Sequence, residues 1–206
     1  MHYATKRTCF GEYVFDLNDE VYDPAEDTFL FAENLDVNEG ELVLDLGTGC
    51  GILGILSAKK ANIVVAIDLN PYATRCAKAN SILNGVQNKM FFIQASLFTA
   101  LKTCATFDLI LFNAPYLPSE EGEDASWIER AWSGGTNGRE VIDRFIIQTP
   151  THLRPNGRVL LMQSTLTGVQ ETLRAFNAQG FTASVKTTYK LPFFETLTLI
   201  EAKTDL

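Results

Sequence analysis

The sequence predicts an α/β fold: a doubly wound sheet, mostly parallel, with a C-terminal antiparallel hairpin. Three observations predict it. Short apolar runs alternate with helical patterns from residue 42 onward, the signature of strand–helix–strand units. Those runs are continuous and show no in–out alternation, as parallel strands covered on both faces require. The last two runs are split only by the short stretch around Leu191-Pro192, which suits an antiparallel hairpin and not a crossover.

Taken in order, residues 1–20 read as a polar–aromatic arm with Tyr3, Phe10, Tyr13 and Phe15, extended and packed on one domain over 21–206. Pro24 stands at a helix start, with Glu26 and Asp27 in the first turn where negative charge suits the helix dipole. That helix runs from Ala25 to Leu35, with Phe29, Ala32 and Leu35 near one face, and Asn38-Glu39-Gly40 ends the unit. There follow strand 42–46, a helix near 52–60, strand 63–67, a helix near 72–83 and strand 90–94. After a short helical or irregular piece around 97–102 comes strand 107–112. Residues 114–137 form a long loop with Pro115, Pro118, the acidic run Glu120 to Asp124, Trp127, Trp132 and Gly134-Gly135. A loop of that length in a compact domain is usually functional, although its acidic run alone reads as a solvated segment. A helix from Arg139 to Leu153, a turn at Pro155-Asn156-Gly157 and strand 158–162 come next. A helix near 167–178 and strands near 181–189 and 194–202 finish the chain.

Composition bounds the function classes. A chain of 206 residues has room for a three-layer core, and 46% hydrophobic with 20% charged residues is ordinary for a globular protein. A formal charge of -8 and a pI near 4.8 argue against unaided tight binding to nucleic acid, whose affinity rests largely on Lys/Arg–phosphate pairs. Cys9, Cys50, Cys76 and Cys104 form no CxxC pair, and with His2 and His152 they give no zinc-ligand spacing. Reduced thiols and no metal site are expected. No apolar run reaches the roughly 18 residues of a membrane span, and the first residues lack a signal-peptide core. A cytoplasmic or nuclear protein without a membrane partner is the expectation, cytoplasmic being preferred.

The chain is organised around Leu42-Val43-Leu44-Asp45-Leu46-Gly47-Thr48-Gly49-Cys50-Gly51, a strand that breaks into alternating glycines and reopens as a helix. Glycines let a ligand approach the backbone, and the helix start offers unpaired N–H groups. Two ligands compete. Gly49-Cys50-Gly51-Ile52-Leu53-Gly54 matches a dinucleotide fingerprint, with Asp68 placed 19 residues after Gly49. In the wider frame, Asp45 ahead of Gly47, Gly49 and Gly51 resembles the E/D-x-G-x-G-x-G signature of class I S-adenosylmethionine-dependent methyltransferases. A carboxylate at Asp45 suits the ammonium of that cofactor. Asp68, ending Ala66-Ile67-Asp68, can accept from both ribose hydroxyls in either reading. Its bland alternative is capping the helix at Asn70-Pro71, where Asn70 is the better cap.

The discriminating stretch is Asn113-Ala114-Pro115-Tyr116, after the fourth strand. It resembles the N-P-P-Y tetrapeptide of methyltransferases that modify planar nitrogens. An amide nitrogen is a poor nucleophile, so holding its NH₂ with two acceptors is the main help a protein can give. The Asn113 side-chain oxygen and the Ala114 carbonyl supply those acceptors, and Pro115 and Tyr116 receive the planar group. Ala114 replaces a proline, which keeps the carbonyl and removes a restriction on Asn113.

Three further stretches narrow the resemblance. Val21-Tyr22-Asp23-Pro24-Ala25-Glu26-Asp27-Thr28-Phe29-Leu30, Trp132-Ser133-Gly134-Gly135-Thr136-Asn137-Gly138-Arg139-Glu140-Val141 and Glu195-Thr196-Leu197 resemble segments of the HemK-like glutamine methyltransferases. The match is to the short eukaryotic and archaeal branch, and it covers most of residues 21–200. The resemblance implies a seven-stranded class I methyltransferase sheet and N5-methylation of the glutamine in the Gly-Gly-Gln motif of a class I release factor. It implies that Thr28, Asp45, Gly47, Asp68, Leu97 and Asn113 line the S-adenosylmethionine pocket, and that Asn113, Pro115 and Tyr116 receive the glutamine. Ser96 stands where the family commonly has Asp for the adenine amino group. Arg139 either orders the loop over the site or is a surface arginine at a helix start.

The resemblance also implies a partner, a small zinc-ribbon activator that adds to a sheet edge. In the family order the third strand is that edge; here it is Met90-Phe91-Phe92-Ile93, apolar and without gatekeeping charge, a liability unless covered. A heterodimer through residues 90–94 is expected. Adenine in DNA or RNA, or protein lysine, are rival substrates for the same fold. A dehydrogenase is the rival for the glycine turn. Ala114 and Ser96 motivate a last rival, an inactive binding module.

Overall fold

The computed structural model describes residues 6–119 and 125–204, which fall into two compact units, Met1–Leu101 and Lys102–Leu206. Tyr3 of the arm and the acidic run Glu120 to Asp124 lie outside the described residues.

In the first unit the arm folds on itself as an antiparallel hairpin, β1 (Lys6–Phe10) and β2 (Tyr13–Leu17), turning at Gly11. Phe15 and Leu17 are buried beneath it. Its docking is unusual. Asn84 accepts from Val14 N–H at 3.0 Å and donates to Val14 O at 2.7 Å. One turn earlier on the same helix, Asn80 accepts from Asp16 N–H at 2.9 Å and donates to Asp16 O at 2.9 Å. Two amide side chains four residues apart thus read alternate residues of a strand, as the two periodicities allow.

The helix expected from Ala25 is α1 (Glu26–Glu33), with Ala25 as N-cap and Pro24 before it. Its buried face is Asp27, Thr28, Leu30, Phe31 and Ala32; of the residues expected there, Ala32 is on it while Phe29 and Leu35 are only partly buried. The reason is the hairpin: Phe29 turns away to stack on Phe10, ring centroids 6.2 Å apart. Then come β3 (Leu42–Leu46), α2 (Ile52–Ser57), β4 (Ile63–Asp68), α3 (Pro71–Leu83) and β5 (Met90–Gln94). The three strands are parallel in the order β5-β4-β3, and Leu44, Leu46, Ile55 and Ile67 fill the core. Among the described residues β5 pairs with β4 on one side and leaves its other edge open, with Phe91 exposed. Residues 97–102 are irregular.

The second unit opens with β6 (Phe107–Asn113) and a helix that the loop reading missed, α4 (Trp127–Trp132). Ser126 and Glu129 form a reciprocal capping box at its start, a Ser-x-x-Glu signal present in the sequence. The helix expected to reach Leu153 stops earlier, as α5 (Glu140–Gln148), because Pro150 turns the chain into a 3₁₀ segment, Thr149–Thr151. The next strand, β7 (Leu153–Ser164), is longer than 158–162: the turn at Pro155-Asn156-Gly157 is absorbed as a break in register, where pairing jumps from Phe107↔Leu153 to Leu109↔Arg158. α6 (Val169–Ala178), β8 (Phe181–Lys190) and β9 (Thr196–Thr204) follow. The strand order is β6-β7-β9-β8, parallel between β6 and β7 and antiparallel thereafter. An aromatic chain, Phe112–Phe145–Phe176–Phe181, joins β6, α5, α6 and β8 through centroid distances of 4.8, 6.4 and 5.5 Å.

The seven strands expected of the sheet are therefore present, three in the first unit and four in the second, with the C-terminal strands antiparallel. Among the described residues no helix is long and apolar enough to cross a membrane.

Candidate functional site

β3 delivers Asp45 and then the glycine turn. Gly47, Gly49 and Gly51 all adopt left-handed φ, at 63°, 56° and 92°. Thr48 N–H donates to Ile67 O at 3.1 Å, pinning the turn to β4. A side chain on Gly54 would stand 2.8 Å from Asp45 Oδ2, so the start of α2 must be bare for the strand to come this close.

Asp45 is 1% exposed. Its Oδ2 accepts from Thr48 Oγ1 at 2.6 Å and from Gly54 N–H at 3.0 Å, while Oδ1 is buried without a hydrogen-bond partner. Burial pushes the carboxyl up to about 7, against the lowering effect of Thr48 and Gly54 and with a further push from Asp68. A buried carboxylate oxygen with no donor is costly, and a cationic donor supplied by a ligand would relieve it. The ammonium of S-adenosylmethionine would supply such a donor to Asp45 Oδ1; a pyrophosphate would not.

Asp68 closes the turn from β4. Its Oδ2 accepts from Gly49 N–H and its Oδ1 from Asn70 N–H, both at 2.9 Å. Burial raises its pKa as well, opposed by those backbone donors. The helix cap is Asn70, whose Oδ1 accepts from Tyr72 N–H at 2.8 Å, so Asp68 is left with spare acceptor capacity. Asp68 pairs in register with Gln94, and Ala95 N–H donates to Asp68 O, which brings Ser96 and Leu97 to the same end of the sheet. Leu97 is buried in a left-handed conformation, φ 47°, a position that costs a branched side chain some strain. Thr28 sits on the buried face of α1, donating through N–H and Oγ1 to Asp27 Oδ1, and α1 packs against α2. Thr48, the third partner in the Asp45 arrangement, escaped the sequence reading; an acidic residue followed three positions later by threonine was the available signal.

The tetrapeptide is described within its own unit. Asn113 ends β6 opposite Met162, and Ala114 is buried. Beyond Tyr116 the chain pairs with the Gly134-Gly135 segment: Leu117 N–H donates to Trp132 O at 2.8 Å, Gly134 N–H to Leu117 O at 2.9 Å and Ser119 N–H to Gly135 O at 3.0 Å. A side chain on Gly138 would stand 2.5 Å from Tyr116 O and collide with Thr167. The glycine-rich segment therefore forms the wall beside Tyr116.

Arg139 fixes that wall. It is 8% exposed and no surface arginine. Its guanidinium donates to Thr167 O, to Gly168 O at 3.1 Å, to Thr172 Oγ1 at 3.0 Å and to Asp143 Oδ1 at 2.7 Å. Arg139→Met is expected to destabilise the protein by on the order of 3 kcal/mol in urea unfolding, because several buried acceptors lose their donor together.

A family model for the methyltransferase small domain matches residues 20–130. The chain is 41% identical over 185 residues to a relative from Methanocaldococcus jannaschii named as a protein N5-glutamine methyltransferase, covering 89% of this chain and 92% of that one. It is 32% identical over 172 residues to human Methyltransferase HEMK2, covering 78% and 79%. A solved chain from the E. cuniculi Mtq2–Trm112 complex, described as responsible for methylation of the eRF1 translation termination factor, superposes with a TM-score of 0.69 at 26% identity, covering 90% of this chain and 99% of that one.

Proposed function

The chain belongs to the methyltransferase small-domain family, in its short HemK-like branch, and on that premise we propose that it transfers a methyl group from S-adenosylmethionine to the N5 nitrogen of the glutamine in the Gly-Gly-Gln motif of a class I release factor. The observation that carries the reading is the Asn113-Ala114-Pro115-Tyr116 segment at the carboxyl end of β6, walled by Gly138 and anchored by Arg139.

S-adenosylmethionine supplies an electrophilic methyl group on a sulfonium centre. Asp45 would receive its ammonium on Oδ1, the backbone of Gly47, Gly49 and Gly51 would lie along its amino-acid portion, and Asp68 would accept from the ribose hydroxyls. Ser96 and Leu97 would border the adenine, Ser96 by a neutral hydrogen bond, and Thr28 would close the pocket from α1. The Asn113 side-chain oxygen and the Ala114 carbonyl hold the two N–H bonds of the glutamine amide, while Pro115 and Tyr116 pack on its plane. Fixing both hydrogens aims the weakly nucleophilic nitrogen and favours the polarised amide, so catalysis is positioning and dipole preorganisation. The proton lost from nitrogen passes to solvent after transfer, with no strong base required.

The open, apolar edge of β5 is the place for a partner. The relative in the Mtq2–Trm112 structure is found with a second protein. A small zinc-ribbon activator adding to residues 90–94 is the partner proposed here. Full activity from a monodisperse single chain would remove that proposal.

The test of the main reading is labelled S-adenosylmethionine with purified release factor, followed by mass spectrometry of the Gly-Gly-Gln peptide. Label on the glutamine, absent with Asn113→Ala, supports it. Label on duplex DNA, or on lysine, with none on the glutamine, overturns it.

A further inference from the structure

We propose that the Phe193-Phe194 tip of the β8–β9 hairpin is the docking edge that seats the protein substrate's polypeptide around its target glutamine; this deepens the reading above and rests on it. Phe193 and Phe194 are 96% and 103% exposed, and both take left-handed φ, 62° and 68°. Two successive bulky residues in that region are rare outliers, and such outliers collect at ligand-binding clamps. The loop is closed all the same: Leu191 N–H donates to Glu195 O at 2.9 Å, and Thr196 N–H donates to Thr165 Oγ1 at 3.0 Å. The two rings are thus presented to solvent by a tied loop.

The register places this tip. Asn113 is opposite Met162, and Met162 is opposite Leu199. Because β9 runs antiparallel to β7, the residues ahead of Leu199 extend past the end of β6 that carries the tetrapeptide. The connection is also continuous in contacts, through the buried Gly138 and Thr167. Gly138 beside Tyr116 O meets Thr167, and Thr167 closes a 3₁₀ segment whose Leu166 is 55% exposed and whose Thr165 ties to the hairpin. From Tyr116 to Phe194 there runs one strip of contacts, buried at Gly138 and Thr167 and surfacing at Leu166 and at Pro192-Phe193-Phe194, with no charge in Leu191-Pro192-Phe193-Phe194. Contiguous exposed apolar residues mark contact surfaces.

The chemistry needs such a strip. Every glutamine offers the same amide, so two acceptors at the tetrapeptide cannot tell one glutamine from another. Discrimination has to come from contacts away from the reacting nitrogen. Exposed phenylalanines are suited to an apolar patch on the folded domain that carries the target loop, since buried aromatic anchors dominate protein interfaces.

The experiment compares wild type with the Phe193→Ser, Phe194→Ser double variant, both with the edge-strand partner added, on two substrates: intact release factor and a short Gly-Gly-Gln peptide. Both side chains are solvent-exposed, so cofactor binding by calorimetry should be unchanged and serves as the folding control. The expected result is a fall in kcat/KM of about tenfold or more on the intact factor, carried by KM, with the peptide rate unchanged. Equal rates on the intact factor, or an equal loss on both substrates, would overturn the docking edge. So would a halved sedimentation mass in the variant, which would make the tip a contact between two copies. A wild-type enzyme that methylates neither substrate would instead overturn the functional reading itself.

Discussion

Asn113→Ala is expected to lower kcat by about 10²–10³-fold, the usual effect of deleting one preorganised polar group at a reacting centre. The KM for S-adenosylmethionine should move far less, because the cofactor contacts proposed for Asp45 and Asp68 lie on other strands. The side chain ends β6 beside a buried Ala114, so truncation removes an acceptor without opening the core. Asn113→Asp is the informative companion. It keeps an oxygen acceptor at the same position, so it should retain more turnover than alanine if holding the amide N–H is the role. Steady-state kinetics on the intact release factor would read both. Equal kcat for wild type and alanine would remove the acceptor mechanism.

Asp45→Asn should have two effects of opposite sign. The native carboxyl is raised from 3.8 to about 7 by burial, so the folded protein holds a proton that the unfolded chain has lost. Between about pH 4 and 7 stability therefore falls as pH rises, with a slope approaching about 1.4 kcal/mol per pH unit, and levels off above the folded pKa. Asp68, raised in the same direction by burial, contributes a fall of the same sign. Removing the charge should flatten this slope and raise the melting temperature of the ligand-free protein near neutrality. Binding runs the other way. An ammonium needs the carboxylate, so affinity for S-adenosylmethionine should climb with pH toward about 7, with proton release on binding below it. The asparagine variant should bind about 10–100-fold more weakly, the worth of one charged hydrogen bond. Calorimetry in buffers of different ionisation enthalpy measures the proton release. A variant that loses stability and affinity together would mark Asp45 as structural.

The strands were legible because each is a bounded apolar run: Met90–Gln94 and Leu42–Leu46 are where the pattern places them. Helices were harder where a tertiary partner, not periodicity, decides. The face of α1 is set by the stacking of Phe29 on Phe10, and the hairpin itself hangs on side chains of a helix some 70 residues away. α4 was hidden in a polar segment whose capping box was readable but passed over. At the site, residue types were visible and their environments were not. The glycine pattern and Asp45 could be named from spacing, whereas the orphaned Oδ1 depends on how Thr48 and Gly54 divide the other oxygen. Arg139 was undecidable in sequence because a surface arginine and a buried one look alike; its carbonyl partners lie 28 and 29 residues downstream.

Asn80, besides clasping β2, donates to Cys50 O inside the glycine turn at 2.8 Å. Strand β2 and the turn therefore share one side-chain amide, and opening either exposes it. In hydrogen exchange, this makes the N–H of Asp16 a remote gauge of the turn. A ligand that steadies the Gly49–Gly51 backbone should slow exchange at Asp16, although it touches nothing in the hairpin. The exchange rate at Val14, held by Asn84, should respond less.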